Sequence, residues 1–257
     1  MSPAEWPGSW PAPRDLAAGL LHLIFPTPCH VCQRPLDLGR RSALCGACWA
    51  AVERMPPAGC SRCGWPFPAA AGGDGAAQPL CQRCRETRDD FLVARAALRY
   101  REGGVARAAI LLGKHGGHLG VLRHLARLLA EEAPALLPLG DWDALVPVPL
   151  HWSRRWRRGF NQAEVLARAV GRRHGLSVQR RLLRRVRATP PQHGDAGSRR
   201  RNVRDAFAVP RPARCAGRRL LLIDDVFTTG ATANACAAAL RSAGAAAVGV
   251  LTLARVE

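Results

Sequence analysis

Residues 220–232 constrain this chain more than any other stretch. Leu220, Leu221, Leu222 and Ile223 form an apolar run that predicts a buried strand of a parallel sheet. Two adjacent carboxylates, Asp224 and Asp225, end the run. A short hydroxyl-rich loop around one glycine follows, and the alanine-rich residues 233–240 predict a helix. Strand, acidic pair, glycine loop and helix in this order describe a phosphate site, because backbone N–H groups and the positive end of a helix converge on an anion there. Carboxylates at the carboxyl end of a strand lie where open α/β sheets bind ligands. Vicinal hydroxyls or a magnesium-bound ligand are their natural partners.

All thirteen positions of this stretch resemble the phosphoribosyl-pyrophosphate (PRPP) motif of type I phosphoribosyltransferases. The resemblance implies an α/β fold with a parallel sheet flanked by helices. It also implies that Asp224 and Asp225 face the ribose 2- and 3-hydroxyls, and that Thr228, Thr229, Gly230, Ala231 and Thr232 cradle the 5-phosphate of PRPP bound with magnesium.

The formal charge of +19 over 257 residues favours anionic partners: nucleic acid, phosphorylated metabolites or acidic lipid heads. Of the 38 basic residues only Lys114 is a lysine, so the identity of any one arginine carries little meaning. A chain that uses arginine everywhere else either needs a compact ammonium at position 114 or has kept one unreplaced surface lysine there.

Eight of the ten cysteines fall in four C-x2-C pairs: Cys29 and Cys32, Cys45 and Cys48, Cys60 and Cys63, Cys81 and Cys84. Each pair offers two thiolates to one tetrahedral ion, so the eight predict two closed, structural zinc sites. Spacing allows either sequential pairing, first with second and third with fourth, or a cross-braced arrangement. Residues 69–77 read as a loop insertion in the second unit. So small a module lacks an apolar core of its own, which leaves folding energy to the metal. Residues 1–15 hold four prolines, two tryptophans and a single arginine, without a basic signal-peptide start, and no apolar run reaches the ~18 residues of a membrane span. These features point to a reducing cytoplasm and no membrane insertion. The expected division is a leader with a short helix through Leu16, Leu20, Leu21 and Ile24 in 1–28, a double zinc ribbon in 29–88 and an α/β domain in 89–257.

Within that domain, 91–100 reads as a strand and 105–112 as a helix broken at 114–118. A second, amphipathic helix covers 119–132, with Leu122, Leu125, Leu128 and Leu129 on one stripe. Residues 144–150 form a strand stopped by prolines. The loop after it interleaves Arg154, Arg155, Trp156 and Arg157 and reaches Asn161, a composition suited either to holding a polyphosphate or to phosphate contacts and base stacking on a nucleic-acid strand. A helix over 163–173, a strand candidate in 176–186, a polar loop over 187–202 and a last strand over 245–253 complete the chain. So long a loop inside a compact domain is functional or disordered. Cys215 and Cys236, outside the pairs, read as small apolar packing.

Val146 to Pro149, the string Arg158-Gly159-Phe160-Asn161-Gln162 and the PRPP motif, all behind cysteine knuckles, are similar to the ComF family over about residues 29–255. Membership implies a role in DNA uptake and natural transformation, with single-stranded DNA and a competence helicase as partners. It also implies that Lys114 is the family's lysine and that Val148, Pro149 and Arg158 line the pyrophosphate side. Thr189, Gln192, Arg199 and Asn202 match positions of a mobile hood. The family's Leu-Ser element of that hood is replaced here by Gly194, Asp195, Ala196 and Gly197. The alternative is an active magnesium-dependent phosphoribosyltransferase of nucleotide metabolism or salvage, with Asp224, Asp225, Lys114 and Arg158 at its reacting centre.

Overall fold

The computed structural model describes residues 28–36, 43–67, 79–115, 118–150, 159–187 and 206–257. The leader helix, the 69–77 insertion, Arg154, Arg155, Trp156, Arg157 and Arg158, and the hood residues Thr189, Gln192, Arg199 and Asn202 lie outside them.

A four-stranded parallel sheet organises the α/β domain. Its strands are β1 (Val93–Tyr100), β2 (Ala144–Pro147), β5 (Arg219–Phe227) and β6 (Ala247–Val256), in the spatial order β1-β6-β5-β2. The crossovers are helical: α3 (Val105–His115) and α4 (Leu119–Leu136), α5 (Gln162–His174), and α6 (Ala231–Ser242). Two antiparallel residues each from β3 (Arg184–Arg185) and β4 (Phe207–Ala208) make a small flap. Strand periodicity divides the core into two layers. Leu145, Leu221, Ile223, Leu251 and Leu253 face α3, α4 and α5, while Ala144, Val146, Leu220, Leu222, Val248 and Val250 face α6 and the flap. With both faces covered, the central strands carry continuous apolar runs, as at Leu220 to Ile223 of β5. Trp142 lies so close over Gly249 of β6 that an added Cβ would come within 2.5 Å of its ring.

Several element ends differ from expectation. Helix α3 continues through Lys114 and His115, neither of which opposes helix, instead of breaking at 114. Helix α4 passes Pro134 and ends at Leu136, because Leu129, Ala130 and Ala133 go on burying apolar surface past the one lost hydrogen bond. Strand β5 does not stop at Ile223; β6 pairs with it as far as Phe227 opposite Arg255. Of the strand expected in 176–186, only a Val178 bridge to Leu145 and β3 form, since most of its arginines face solvent.

The cysteine module contains two short helices, α1 (Gly46–Ala50) and α2 (Gln82–Glu86). It does not stand apart. Cys29, Leu36, Leu44, Cys48 and Val52 belong to the same buried cluster as α3, α4 and α5, so the first cysteine unit packs into the apolar core of the α/β domain. Glu53 and Met55 exchange backbone hydrogen bonds with Ala97 and Arg99 along the outer side of β1, and Ala94 N–H donates to Arg62 O at 2.6 Å.

Candidate functional site

The doublet lies where β2 stops. The last contact between the two strands is Val148 N–H donating to Ile223 O at 2.9 Å, and beyond it β5 has β6 alone beside it among the described residues. Strand alternation sends the two carboxylates to opposite faces. Asp225 faces α3, where Lys114 Nζ sits 2.9 Å from its Oδ2. The sole lysine is thus half-buried on the doublet, which its extension of α3 makes possible. Asp224 faces α6 and Arg185 of the flap. Burial first, and then the like charge of Asp225, push its carboxyl up to about 7, against the Asp225 N–H donated to it at 2.8 Å and the cations Lys114 and Arg185.

The loop after β5 turns at Gly230, whose φ of +77° opens α6. A side chain there would be strained, and its Cβ would meet the Phe227 ring at 2.6 Å. Thr228, Thr229, Gly230, Ala231 and Thr232 therefore stand at the start of a 12-residue helix, with the Ala231 N–H donating to Thr229 Oγ1 at 3.4 Å. Val148 and Pro149 follow β2 at the same end of the sheet.

Asn161 has a different place from the one its loop suggested. It is 8% exposed; its Nδ2 donates to Val148 O at 3.0 Å and its Oδ1 caps α5 by accepting Ala163 N–H at 3.1 Å. Its amide joins the end of β2 to α5 and faces away from solvent. Asn161→Ala should cost about 1–2 kcal/mol, read as a melting temperature several degrees lower. Asn161→Asp keeps the cap but sets a carboxylate against the Val148 carbonyl, so it should rescue little.

The eight cysteines form two clusters in sequential pairing: Cys29, Cys32, Cys45 and Cys48, and Cys60, Cys63, Cys81 and Cys84, with all sulfurs of a cluster within 4.8 Å of one another. The sulfurs of Cys29 and Cys48, Cys32 and Cys45, and Cys63 and Cys81 are 3.7, 3.6 and 3.7 Å apart. A tetrahedron with ~2.3 Å zinc–sulfur bonds has edges of about 3.8 Å, so both clusters fit zinc. Backbone N–H groups aim at the sulfurs, with Cys45 N to Cys29 Sγ and Cys81 N to Cys60 Sγ both 3.3 Å. Burial raises the Cys29 and Cys60 thiols, yet these backbone donors outweigh it and bring both down to about 6. Burial and neighbouring thiolates push Cys48 up to about 12 and raise Cys84 as well. A dication held among the four sulfurs removes that penalty.

Arg255, at the end of β6, is a neighbour of the candidate site that no local sequence pattern marks. Its Nη1 donates to Cys63 O at 2.6 Å, and its guanidinium lies 4.7 Å from the Phe227 ring and 5.1 Å from the Trp65 ring. It thereby links the second cysteine cluster to Phe227, just before the Thr228–Thr232 loop. Only the strand register opposite Phe227 places it there, and no local pattern marks it.

These features define a class of protein: paired four-cysteine knuckles in front of an α/β domain whose parallel sheet ends in an acidic doublet and a glycine turn. The double zinc ribbon domain family matches residues 20–85. DNA utilization protein YhgH of Salmonella typhi is 34% identical, covering 91% of this chain and 99% of that protein. Competence protein F of Haemophilus influenzae is 38% identical over 52% of this chain and 60% of its own length, and ComFC of Bacillus subtilis 25% over 82% and 84%. The chain belongs to the ComF family. Among solved structures it is similar to a phosphoribosyltransferase from Corynebacterium diphtheriae, 20% identical with a TM-score of 0.32 over 59% of this chain and 92% of that one.

Proposed function

We propose that the chain binds PRPP, or a related phosphoribosyl ligand with magnesium, at Asp224, Asp225 and the Thr228–Thr232 loop, and serves DNA uptake in the cytoplasm. Its basic surface grips single-stranded DNA and a helicase is its protein partner. The observation that carries this reading is the contact between the only lysine and Asp225 at the open end of β5. Magnesium with its ligand would supply a second cation for the same carboxylates, so Lys114 holds the doublet in place until the ligand arrives. The names of the relatives, DNA utilization and competence proteins, support the setting. No described helix is long and apolar enough to cross a membrane.

PRPP with magnesium at a hundred times its dissociation constant should stabilise the protein by about 2.7 kcal/mol in a thermal shift assay. Asp224→Ala with Asp225→Ala should abolish the shift and leave two zinc ions per chain. A shift that survives both substitutions removes the site. Pyrophosphate release against a panel of bases, in the same samples, separates a holding site from a transferring one. Affinity for a labelled single strand should fall steeply with salt; indifference to salt would end the basic-surface argument.

A further inference from the structure

A cavity of about 530 Å³ opens between the second ribbon and the phosphate loop. Trp65 and α2 of the ribbon form one wall; Thr228 and Thr229 of the loop, with Arg255 at the seam, form the other. Trp65 is one of only four large apolar side chains left exposed among the described residues, at 39%. Its backbone is fixed in the knuckle, with its carbonyl accepting Cys60 N–H at 2.8 Å, and Arg255 packs on its ring. The indole is therefore a rigid, half-open aromatic platform beside a turn built for phosphate. Arg83 enters the same cavity, already steadied by Asp89 at 3.0 Å, and Glu86 is tied to Gln82 at 2.8 Å. The Arg255 Nε is buried with no hydrogen-bond partner among the described residues.

We infer that this cavity is a nucleotide subsite: a base stacks on Trp65 while its 5′-phosphate rests on the Thr228–Thr229 side of the loop. The inference rests on the phosphate-loop reading above and extends it to the ribbon, giving the zinc module a direct part in ligand choice. The volume suits one nucleoside, the mostly apolar walls suit a base, and the phosphate end meets Thr228 and Thr229 with Arg83 and Arg255 beside them. A nucleotide so placed shares the phosphate position with PRPP, so the two compete. Free mononucleotide and the 5′-phosphorylated end of a strand have this same chemistry.

The test uses the full-length, zinc-loaded protein and fluorescence anisotropy of a 3′-labelled, 5′-phosphorylated single strand. Unlabelled adenosine 5′-monophosphate, a 5′-hydroxyl strand and PRPP serve as competitors. Trp65→Ala should weaken the 5′-phosphorylated strand by about 5- to 100-fold, and Trp65→Phe should recover most of it. Both variants should retain their zinc and the wild-type thermal shift with PRPP. PRPP should displace the 5′-phosphorylated strand and leave the 5′-hydroxyl strand in place. A mononucleotide that competes as well as the strand identifies free nucleotide as the source; a much weaker one identifies strand ends. Wild-type affinity in Trp65→Ala, or equal binding of the two strands, overturns the subsite. If PRPP alone gives no shift while binding of the phosphorylated strand still depends on Trp65, the subsite stands and the PRPP reading falls.

Discussion

Serine in place of Cys84 should release one of the two zinc ions and lower the melting temperature of the whole chain by roughly ten degrees. Four clustered thiolates, three of them buried, repel one another, and burial with neighbouring sulfurs already raises Cys63 and Cys84. The ion turns that repulsion into attraction, and three ligands hold it much less firmly than four. The loss would spread because Arg255 donates to Cys63 O, stacks on Phe227 and is 3% exposed. Freed from the ribbon, it would be a buried charge without its main partner, a costly state in itself. Metal analysis and a thermal melt are the measurements, with Cys215→Ala, a cysteine outside both clusters, as the control that keeps two ions. A Cys84→Ser protein with two ions and an unchanged melt would show that the ribbon is not held by metal.

Asp224→Asn should make the ligand-free protein more stable while ending ligand binding. Its carboxyl rises from an ordinary value of 3.8 to about 7, first through burial and then through Asp225. The folded state therefore holds this proton more tightly than the unfolded chain does. The stability lent by the site is complete below about pH 4, declines as pH rises from 4 to 7, and is level above that. The amide escapes the decline. Its advantage should be absent at pH 4 and reach about 1–2 kcal/mol at pH 8, less than the full shift would give because the side chain keeps some contact with water. Ligand affinity of the unaltered protein should climb over the same interval, since magnesium or ribose hydroxyls need the carboxylate. Chemical denaturation at pH 4, 6 and 8 reads the first effect and titration calorimetry the second. An asparagine variant less stable than its parent at pH 8 would contradict the assignment.

What could be read from the residues alone had a local cause. The cysteine spacing carried the two metal sites, and the ordered string from Leu220 to Thr232 carried the strand, turn and helix at the site. Helix ends were harder: nothing near Lys114 or Pro134 shows that tertiary burial will carry α3 and α4 further. The placements that most shape the site are relations between distant segments. Lys114 reaches Asp225 across 111 positions of chain, and Arg255 reaches Cys63 across 192. Periodicity cannot report such pairs. Asn161 shows the converse, since a residue embedded in an arginine- and tryptophan-rich string turned out to be a buried helix cap.

The hydrogen bonds that Glu53 and Met55 make to β1 have a consequence for life without metal. β1 is the outermost strand of its sheet, and this stretch between the two cysteine clusters occupies its open ladder. Stripped of zinc, the stretch would loosen and uncover unsatisfied backbone groups on an edge strand, a ready template for intermolecular pairing. Chelator-treated protein should thus self-associate before its helices melt, so the cysteine knuckles guard against aggregation as well as shaping the fold.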